Sequence, residues 1–434
     1  MSVEAAPLTS AAPTPAGRRS PGYVLPNWLL WPGLVAALCA IGSFVAYEHV
    51  HDFGLRDDQL DLQVYRDGGL ALRHGHRLYT ANYTWVKLPF TYPPFAATVF
   101  AVASHLSFAH LITVMTTASV AVLFATAWLA WGRLGHPVSA GRAGAALLLG
   151  AAALWTEPVQ QTLGFGQVNL LLLFAVVADL CLPDRFRGKG VGVGLAAGFK
   201  LVPGIFIAYL LLTRRWRAAA VSTGTLAVTV LGAYALFPHE SGQYWGGLFW
   251  DSSRVGGVDY LGNQSLHGMI DRALRGGAQV QHLWMLAAAV VGLGGLLLAA
   301  WLSRRGQELA AIFTAGLVGL LASPISWSHH WVWILPALVL ATDWALRRAD
   351  RTNRLLALLA PLSLLLLFAA WPRQDPSHGL LASGLIWWVP YNQNLEYHWT
   401  LSQIPLGEMY TLLGVAFLAG LALHAWRTRR HPRR

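Results

Sequence analysis

Ten apolar runs, several of them short, constrain this chain more than any other feature. They lie at roughly Trp28–Tyr47, Leu111–Trp131, Ala143–Trp155, Leu170–Leu182, Ala218–Phe237, Leu283–Leu302, Leu309–Ala322, Trp331–Leu346, Leu355–Trp371 and Ile404–Trp426. A helix of about 20 apolar residues crosses the hydrocarbon of a bilayer, and only helices or closed barrels can satisfy their backbone there. The runs therefore predict an all-α polytopic membrane protein with about ten full spans. Composition agrees: 55% of residues are hydrophobic and only 12% charged, about half the charge of an ordinary soluble domain. Cys39 and Cys181 both fall in apolar runs and read as small core residues, not a disulfide pair.

The formal charge of +11 raises the possibility of a nucleic-acid partner. The distribution of the basic residues argues against it. Arg18 and Arg19, Arg133 and Arg142, Arg185, Arg187 and Lys189, Arg214, Arg215 and Arg217, Arg304 and Arg305, RRADRTNR at 347–354 and RTRRHPRR at 427–434 hold 21 of the 31 Lys and Arg. All lie between or beyond apolar runs, as cytoplasmic connections do. Residues 1–27, rich in Ala, Pro, Ser and Thr and without a cleavable signal pattern, read as a disordered cytoplasmic tail before an uncleaved first span. Residues 28–426 read as one multispanning domain and 427–434 as a basic tail.

One stretch breaks the alternation. Residues 191–213, GVGVGLAAGFKLVPGIFIAYLLL, are basic on both flanks, so a single crossing would leave one cluster outside. A re-entrant hairpin turning near Lys200 and Pro203 keeps both flanks inside, provided protein or a water-filled cavity covers the broken backbone. The run Pro94–His105 is likewise too short to span. Both termini then fall on the cytoplasmic side. The large connections 48–92, 238–282 and 372–403 fall outside, joined by the turns 156–167 and 323–330. These outer segments are rich in His, Trp, Tyr, Asn and Gln, the makeup of a surface that stacks on and hydrogen-bonds polyhydroxylated molecules.

Acidic residues are scarce, yet six of the 20 lie between positions 48 and 67. In RDDQLDLQVYRDGG (56–69), a helix puts Asp58 and Asp61 on one face with Tyr65 one turn further on. A charge run of this kind is usually a solvated face; its neighbours on the outer side argue for a site. Tyr92 in KLPFTYPPFAA can add an aromatic wall. Gln167 and Asn169 in GFGQVNLLLLF sit at an outer membrane edge as helix caps or site groups. Lys200 is an isolated ammonium in an apolar segment, for which a phosphate partner is the functional reading and snorkelling the structural one. GNQSLHGMIDR (262–272) supplies Asn263, Gln264, His267 and Arg272. Its N-Q-S has the form of a glycosylation acceptor but reads in this context as a site. SPISWSHHWVW (323–333) places His329 and His330 beside Trp327, with Trp331 and Trp333 as interfacial aromatics. Adjacent histidines diverge by roughly 100° on a helix and make a poor metal pair. No phosphate loop, dinucleotide glycine pattern or HExxH motif is present.

In this order, DLQVYR, TYPP, GQVN, FKLVPG, GNQSLHG and SPISWSHHW resemble glycosyltransferase family 87, and the likeness runs from about residue 28 to 426. The resemblance implies a GT-C-type helical bundle with re-entrant short helices and helical outer loops, in a plasma-membrane protein whose site faces the outer, periplasmic side. It implies a polyprenyl-phosphate-mannose donor and α-1,2-mannosyl transfer, with inversion, to phosphatidylinositol mannoside, lipomannan or a related lipoglycan. A carboxylate in the first outer loop is then the base, which falls on Asp61 with Asp58 as its competitor. The residue chemistry fits: the aspartate takes a proton from the acceptor hydroxyl, and Lys200, His329, His330 and Arg272 supply donors and positive charge to the departing phosphate. Tyr65, Tyr92, Gln167, Asn169, Asn263, Gln264, His267 and Trp327 are the substrate-binding candidates. No metal or cofactor is expected. The rival readings are a GT-C transferase for another polyprenyl-linked sugar, such as arabinofuranose, and a lipid or sugar transporter. A transporter leaves the outer acidic helix and its amide-rich and aromatic company unexplained.

Overall fold

The computed structural model describes residues 23–51, 59–348, 350–375 and 379–430. Among these, nineteen α-helices dominate, and sheet is confined to two short antiparallel hairpins, Asn82–Tyr83 with Leu88–Pro89 and Trp371–Asp375 with Gly379–Ser383. The first half holds α1 (Leu30–His51), α2 (Leu60–Arg73), α3 (Pro94–Ala103), α4 (Phe108–Arg133), α5 (Ala140–Leu154), α6 (Glu157–Gly164), α7 (Asn169–Cys181), α8 (Val191–Phe199), α9 (Ile205–Leu212) and α10 (Trp216–Leu236). The second holds α11 (Pro238–Trp245), α12 (Leu266–Leu274), α13 (Val280–Arg304), α14 (Glu308–Ala322), α15 (Ile334–Leu346), α16 (Arg351–Ala357), α17 (Leu359–Phe368), α18 (Ile404–Gly407) and α19 (Met409–Arg430).

The helix starts follow local chemistry. The Ser107, Ser139 and Ser265 hydroxyls accept from the amides of His110, Arg142 and Gly268 and cap α4, α5 and α12. Pro93 and Pro94 open α3, where a missing amide costs nothing.

Among the described residues, six helical stretches are long and apolar enough to cross a membrane: Asn27–His49, α4, α10, α13, Arg351–Phe368 and α19. Taking α6 and α7, bent by 117° at their break, as one span raises the number to seven. The other four apolar runs of the sequence form the shorter helices α5, α7, α14 and α15, of 13 to 15 residues. They fall short of the roughly 20 residues of a full span because the apolar runs that form them are themselves only 13 to 16 residues long; α15 is preceded by a separate 3-10 turn, Ser328–Trp333. The result is a polytopic helical bundle. α1 and α5 meet through glycine, since a Cβ on Gly33 would lie 2.6 Å from the carbonyl oxygen of Gly144.

The segment 191–213 folds as a hairpin. A Cβ on Gly190 would meet the Ala218 carbonyl at 2.3 Å, one on Gly194 the Ser222 carbonyl at 2.5 Å, and one on Gly198 the Thr229 hydroxyl at 2.2 Å. The two sequences rise together, so α8 and α10 run in the same direction and the chain between them must return. Lys200 breaks the helix in extended backbone (φ −146°, ψ 129°), the turn Val202–Gly204 follows, and α9 leads back. Both feet meet: Arg217 donates to the carbonyls of Asp184, Arg185 and Phe186, and Arg215 pairs with Asp184 at 3.3 Å. Asp179 fixes the start of α8 by accepting the amides of Gly190 (2.8 Å) and Val193 (3.0 Å).

Two apolar cores result. The larger is built by α4–α7, α9, α13–α15 and α19. The smaller packs Leu62, Val64, Tyr65, Phe90, Tyr92 and Phe100 from α2, α3 and the segment between them, together with Val168.

Candidate active site

The segment that begins at Gln59 and carries α2 is fastened to the bend between α6 and α7, where the two cores meet. Gln59 donates its side-chain amide to the carbonyls of Leu163 (2.9 Å) and Gly164 (3.0 Å), and the amides of Asp61 and Leu62 both reach the carbonyl of Phe165 at 3.1 Å. Gly166 permits this approach. Its φ is +66°, and a Cβ there would lie 2.4 Å from the Gln59 side-chain oxygen and 2.5 Å from the Leu62 Cβ.

Asp61 thus enters the first turn of α2, partly buried. Burial pushes its carboxyl up to about 6, against the opposing effects of a Gln167 hydrogen bond and the Lys200 charge. Asp58, the competing carboxylate of the sequence reading, lies outside the described residues. Gln167 is the hub of the wall beside Asp61. Its carbonyl oxygen accepts from the Tyr65 hydroxyl at 2.9 Å, and its amide donates to the Tyr92 hydroxyl at 3.1 Å. Tyr65 is held flat against Phe100, ring centroids 4.5 Å apart.

Lys200 reaches the same place from the tip of the hairpin. Its ammonium donates to the Asn169 carbonyl oxygen at 3.2 Å, meets His330 Nε2 at 2.9 Å and stands 5.7 Å over the Tyr92 ring. An ammonium has no lone pair, so beside a charged Lys200 the His330 Nε2 accepts and its proton sits on Nδ1. The His329 carbonyl accepts from Thr162 (2.9 Å) and Asn169 (2.9 Å), which fixes the turn carrying both histidines. The His329 ring lies edge-on to Phe165 at 5.4 Å, and its buried Nε2 has no partner among the described residues. Behind Lys200, Asn169 and His330 a cavity runs between α7, α9 and α14, walled by apolar groups such as Leu172, Val176, Phe206, Leu320 and Trp333.

Asp61, Tyr65, Tyr92, Gln167, Asn169, Lys200, His329 and His330 therefore come together from five segments of the chain. The GNQSLHGMIDR residues do not join them. Arg272 was expected to face a phosphate, but its guanidinium makes a two-pronged pair with Glu408 at 2.6 Å and 2.6 Å, and its remaining donors go to the carbonyls of Asp259, Tyr260 and Asn263. Its charge is neutralised in place. Asn263 bonds the backbone of Val258, Pro324 and Ser326, and Gln264 that of Leu261, Gly407 and Tyr410. With their amides committed to backbone, both residues brace the chain where a sugar contact was expected. His267 stacks on Trp284 at 4.4 Å, and Trp327 packs edge-on against Tyr260 at 5.8 Å. These groups hold the 323–328 segment, whose Ser326 lines the cavity.

Sequence reasoning passed over Gln59, Thr162 and Glu157. Glu157 is fully buried and accepts from Trp387 Nε1 at 2.7 Å and the Tyr410 hydroxyl at 2.9 Å. A lone acid between two apolar runs was the available signal; its donors, more than 200 residues away, left none.

The sequence model described as glycosyltransferase family 87 matches residues 90–324. The chain is 31% identical over 368 residues to a polyprenol-phosphate-mannose-dependent alpha-(1-2)-phosphatidylinositol mannoside mannosyltransferase of Mycobacterium tuberculosis, covering 78% of this chain and 84% of that protein. It is 34% identical over 309 residues to a polyprenol-phosphate-mannose-dependent alpha-(1-2)-phosphatidylinositol pentamannoside mannosyltransferase of the same species, covering 70% of each. A mannosyltransferase of Mycolicibacterium smegmatis named like the first is 33% identical over 317 residues, 67% of this chain and 71% of that protein. No solved structure matches the chain.

Proposed function

The chain belongs to glycosyltransferase family 87 and is a glycosyltransferase, and we propose that it moves mannose from a polyprenyl-phosphate-mannose donor to a hydroxyl of a phosphatidylinositol mannoside or related glycolipid. Asp61 takes the proton of the attacking acceptor hydroxyl. That oxygen bonds to the mannose anomeric carbon from the face opposite the phosphate, the carbon–phosphate oxygen bond breaks, and a β-linked donor yields an α-linked product. The departing polyprenyl phosphate gains charge at its bridging oxygen. Lys200 offers it an ammonium, and the buried Nε2 of His329 is a further hydrogen-bonding partner at that end. The apolar cavity behind Lys200 accepts the first isoprene units. Tyr65, Tyr92 and Gln167 form the wall beside the sugar.

The observation that carries this reading is the convergence of Asp61 and Lys200 on one polar pocket at the mouth of an apolar cavity. A base for one substrate and a cation for the lipid phosphate of the other need that arrangement. The site faces the outer side, with the feet of the hairpin on the cytoplasmic side and the hairpin itself re-entrant. α5, α7, α14 and α15, extended by their flanking turns, complete ten crossings.

Purified protein given polyprenyl-phosphate-[³H]mannose and a phosphatidylinositol mannoside acceptor should transfer label into an α-1,2 linkage. Transfer only from polyprenyl-phosphate-arabinofuranose in a donor panel would replace the sugar. Donor that crosses a vesicle membrane intact, with no transfer, would leave a transporter.

A further inference from the structure

A second cleft lies in the third outer segment, away from the Asp61 pocket. It is lined by Arg373, Trp388, Tyr391 and Asn392 together with the apolar Val389, Pro390 and Leu395. Its floor is rigid and aromatic. Tyr391 meets Trp387 at 5.4 Å and Tyr260 at 6.3 Å, and Trp387 is pinned by its indole N–H to Glu157. Tyr260 in turn meets Trp327, the residue that precedes the turn carrying His329 and His330. Packed rings thus run from the cleft to Trp327, and from there the link to the turn carrying His329 and His330 is the backbone itself.

Its walls are polar and open. Arg373 donates to the Trp387 carbonyl and lies 5.9 Å over the Tyr391 ring. Trp388 keeps 51% of its surface exposed although it lines a cleft. Asn392, Gln393 and Asn394 are three successive non-glycine residues with positive φ, 70°, 53° and 62°. Such backbone is uncommon in one residue and persists through three only where the surroundings impose it. Here Glu396 imposes it by accepting the amides of Asn392 (3.0 Å) and Leu261 (3.3 Å). The strained turn presents the Asn392 carboxamide beside the exposed Trp388 indole and the Arg373 guanidinium. Flat rings that stack on the apolar face of a pyranose, with amide and guanidinium donors for its hydroxyls, recognise carbohydrate.

We propose that this cleft is an acceptor subsite, taking a pyranose unit of the acceptor glycan other than the one being mannosylated. The inference rests on the transfer reading above. It makes the cleft a reader of acceptor length: acceptors with one sugar reach only the Asp61 pocket, and longer ones gain the cleft as well.

The test compares two acceptors, octyl α-mannoside and an octyl α-mannotrioside, on the full chain in detergent. Trp388→Ala and Tyr391→Ala should each raise KM for the trioside about tenfold, the worth of one lost stacking contact, and leave KM for the monomannoside and for the donor unchanged. Trp388→Phe, which keeps a ring, should restore most of the loss, and unchanged melting temperatures would exclude misfolding. Equal effects on both acceptors, or no effect on either, would overturn the subsite and leave Trp388 as an interfacial aromatic. Binding of free mannotriose, followed by saturation-transfer NMR without donor, separates the two readings. Binding lost in Trp388→Ala keeps the subsite even if transfer from polyprenyl-phosphate-mannose fails. Transfer without length discrimination and without mannotriose binding removes only the subsite.

Discussion

Asp61 occupies a pocket that disfavours its own charge. Its carboxyl is raised to about 6 chiefly by burial, which brings a base close to the working pH. If it is the base, turnover should climb as pH rises through about 6 and level off above, because only the ionised form accepts a proton. Asp61→Asn should lose roughly 10²–10⁴-fold in kcat with donor affinity largely kept. An active Asp61→Asn beside a dead Asp58→Asn would transfer the role to Asp58. Stability should move the opposite way. The folded state holds this proton more tightly than the unfolded chain, so the stabilisation is complete below the ordinary carboxylate range and fades as pH rises through about 6. Asp61→Asn should flatten that dependence, seen in melting curves of both proteins across the same pH range. The phosphate end separates by kinetics. Lys200→Met should weaken donor-analogue binding as well as rate, by about 1.5–3 kcal/mol for a lost charge-assisted bond. His329→Ala should lower the single-turnover rate with little change in donor affinity if its contact forms only as the phosphate departs. Unchanged affinity in a folded Lys200→Met would remove Lys200 from the phosphate site.

At the level of elements, the hairpin of α8 and α9 was legible in the sequence and the bracing of the site was not. Basic residues on both flanks of an apolar run, with Gly198 and Pro203 inside it, are local signals, and a break at Lys200 follows from them. The consequence is testable. Cysteines at 187 and 215 should be labelled by an impermeant thiol reagent from one and the same face, and labelling from opposite faces would contradict the contact between the hairpin's feet. Arg272, Asn263 and Gln264 show the limit of local reading. Polar residues in an outer loop look alike whether they await a ligand or hold backbone. Only Glu408, 136 positions from Arg272, decides between the two. Gly166 shows the same limit. Its place in GQVN was legible, but the docking of α2 over it depends on Gln59, more than 100 residues earlier.

For the molecule as a whole, the pattern of apolar runs gave the class of fold, and six of the ten runs lie in helices long and apolar enough to span. The other four close as helices of 13 to 15 residues because the apolar runs that form them are themselves only 13 to 16 residues long. The candidate site lies where the core of the bundle meets the core around α2 and α3, so each of its walls belongs to a different part of the chain. The close approach of α8 to α10 gives this assembly a further property. Three glycines four residues apart seat α8 on α10 like teeth in a rack. The depth of Lys200 is therefore set in steps. Its neighbour Gly198 lies opposite Thr229, about 20 Å along α10 from Trp216 at 1.5 Å per residue. One alanine inserted between Gly194 and Leu195 would turn everything beyond it by about 100° and swing the ammonium away from Asn169 and His330. The same insertion at Arg187, before the first tooth, leaves the rack in register. The first variant should be inactive and the second active at comparable expression, measured as mannosyl transfer in membranes.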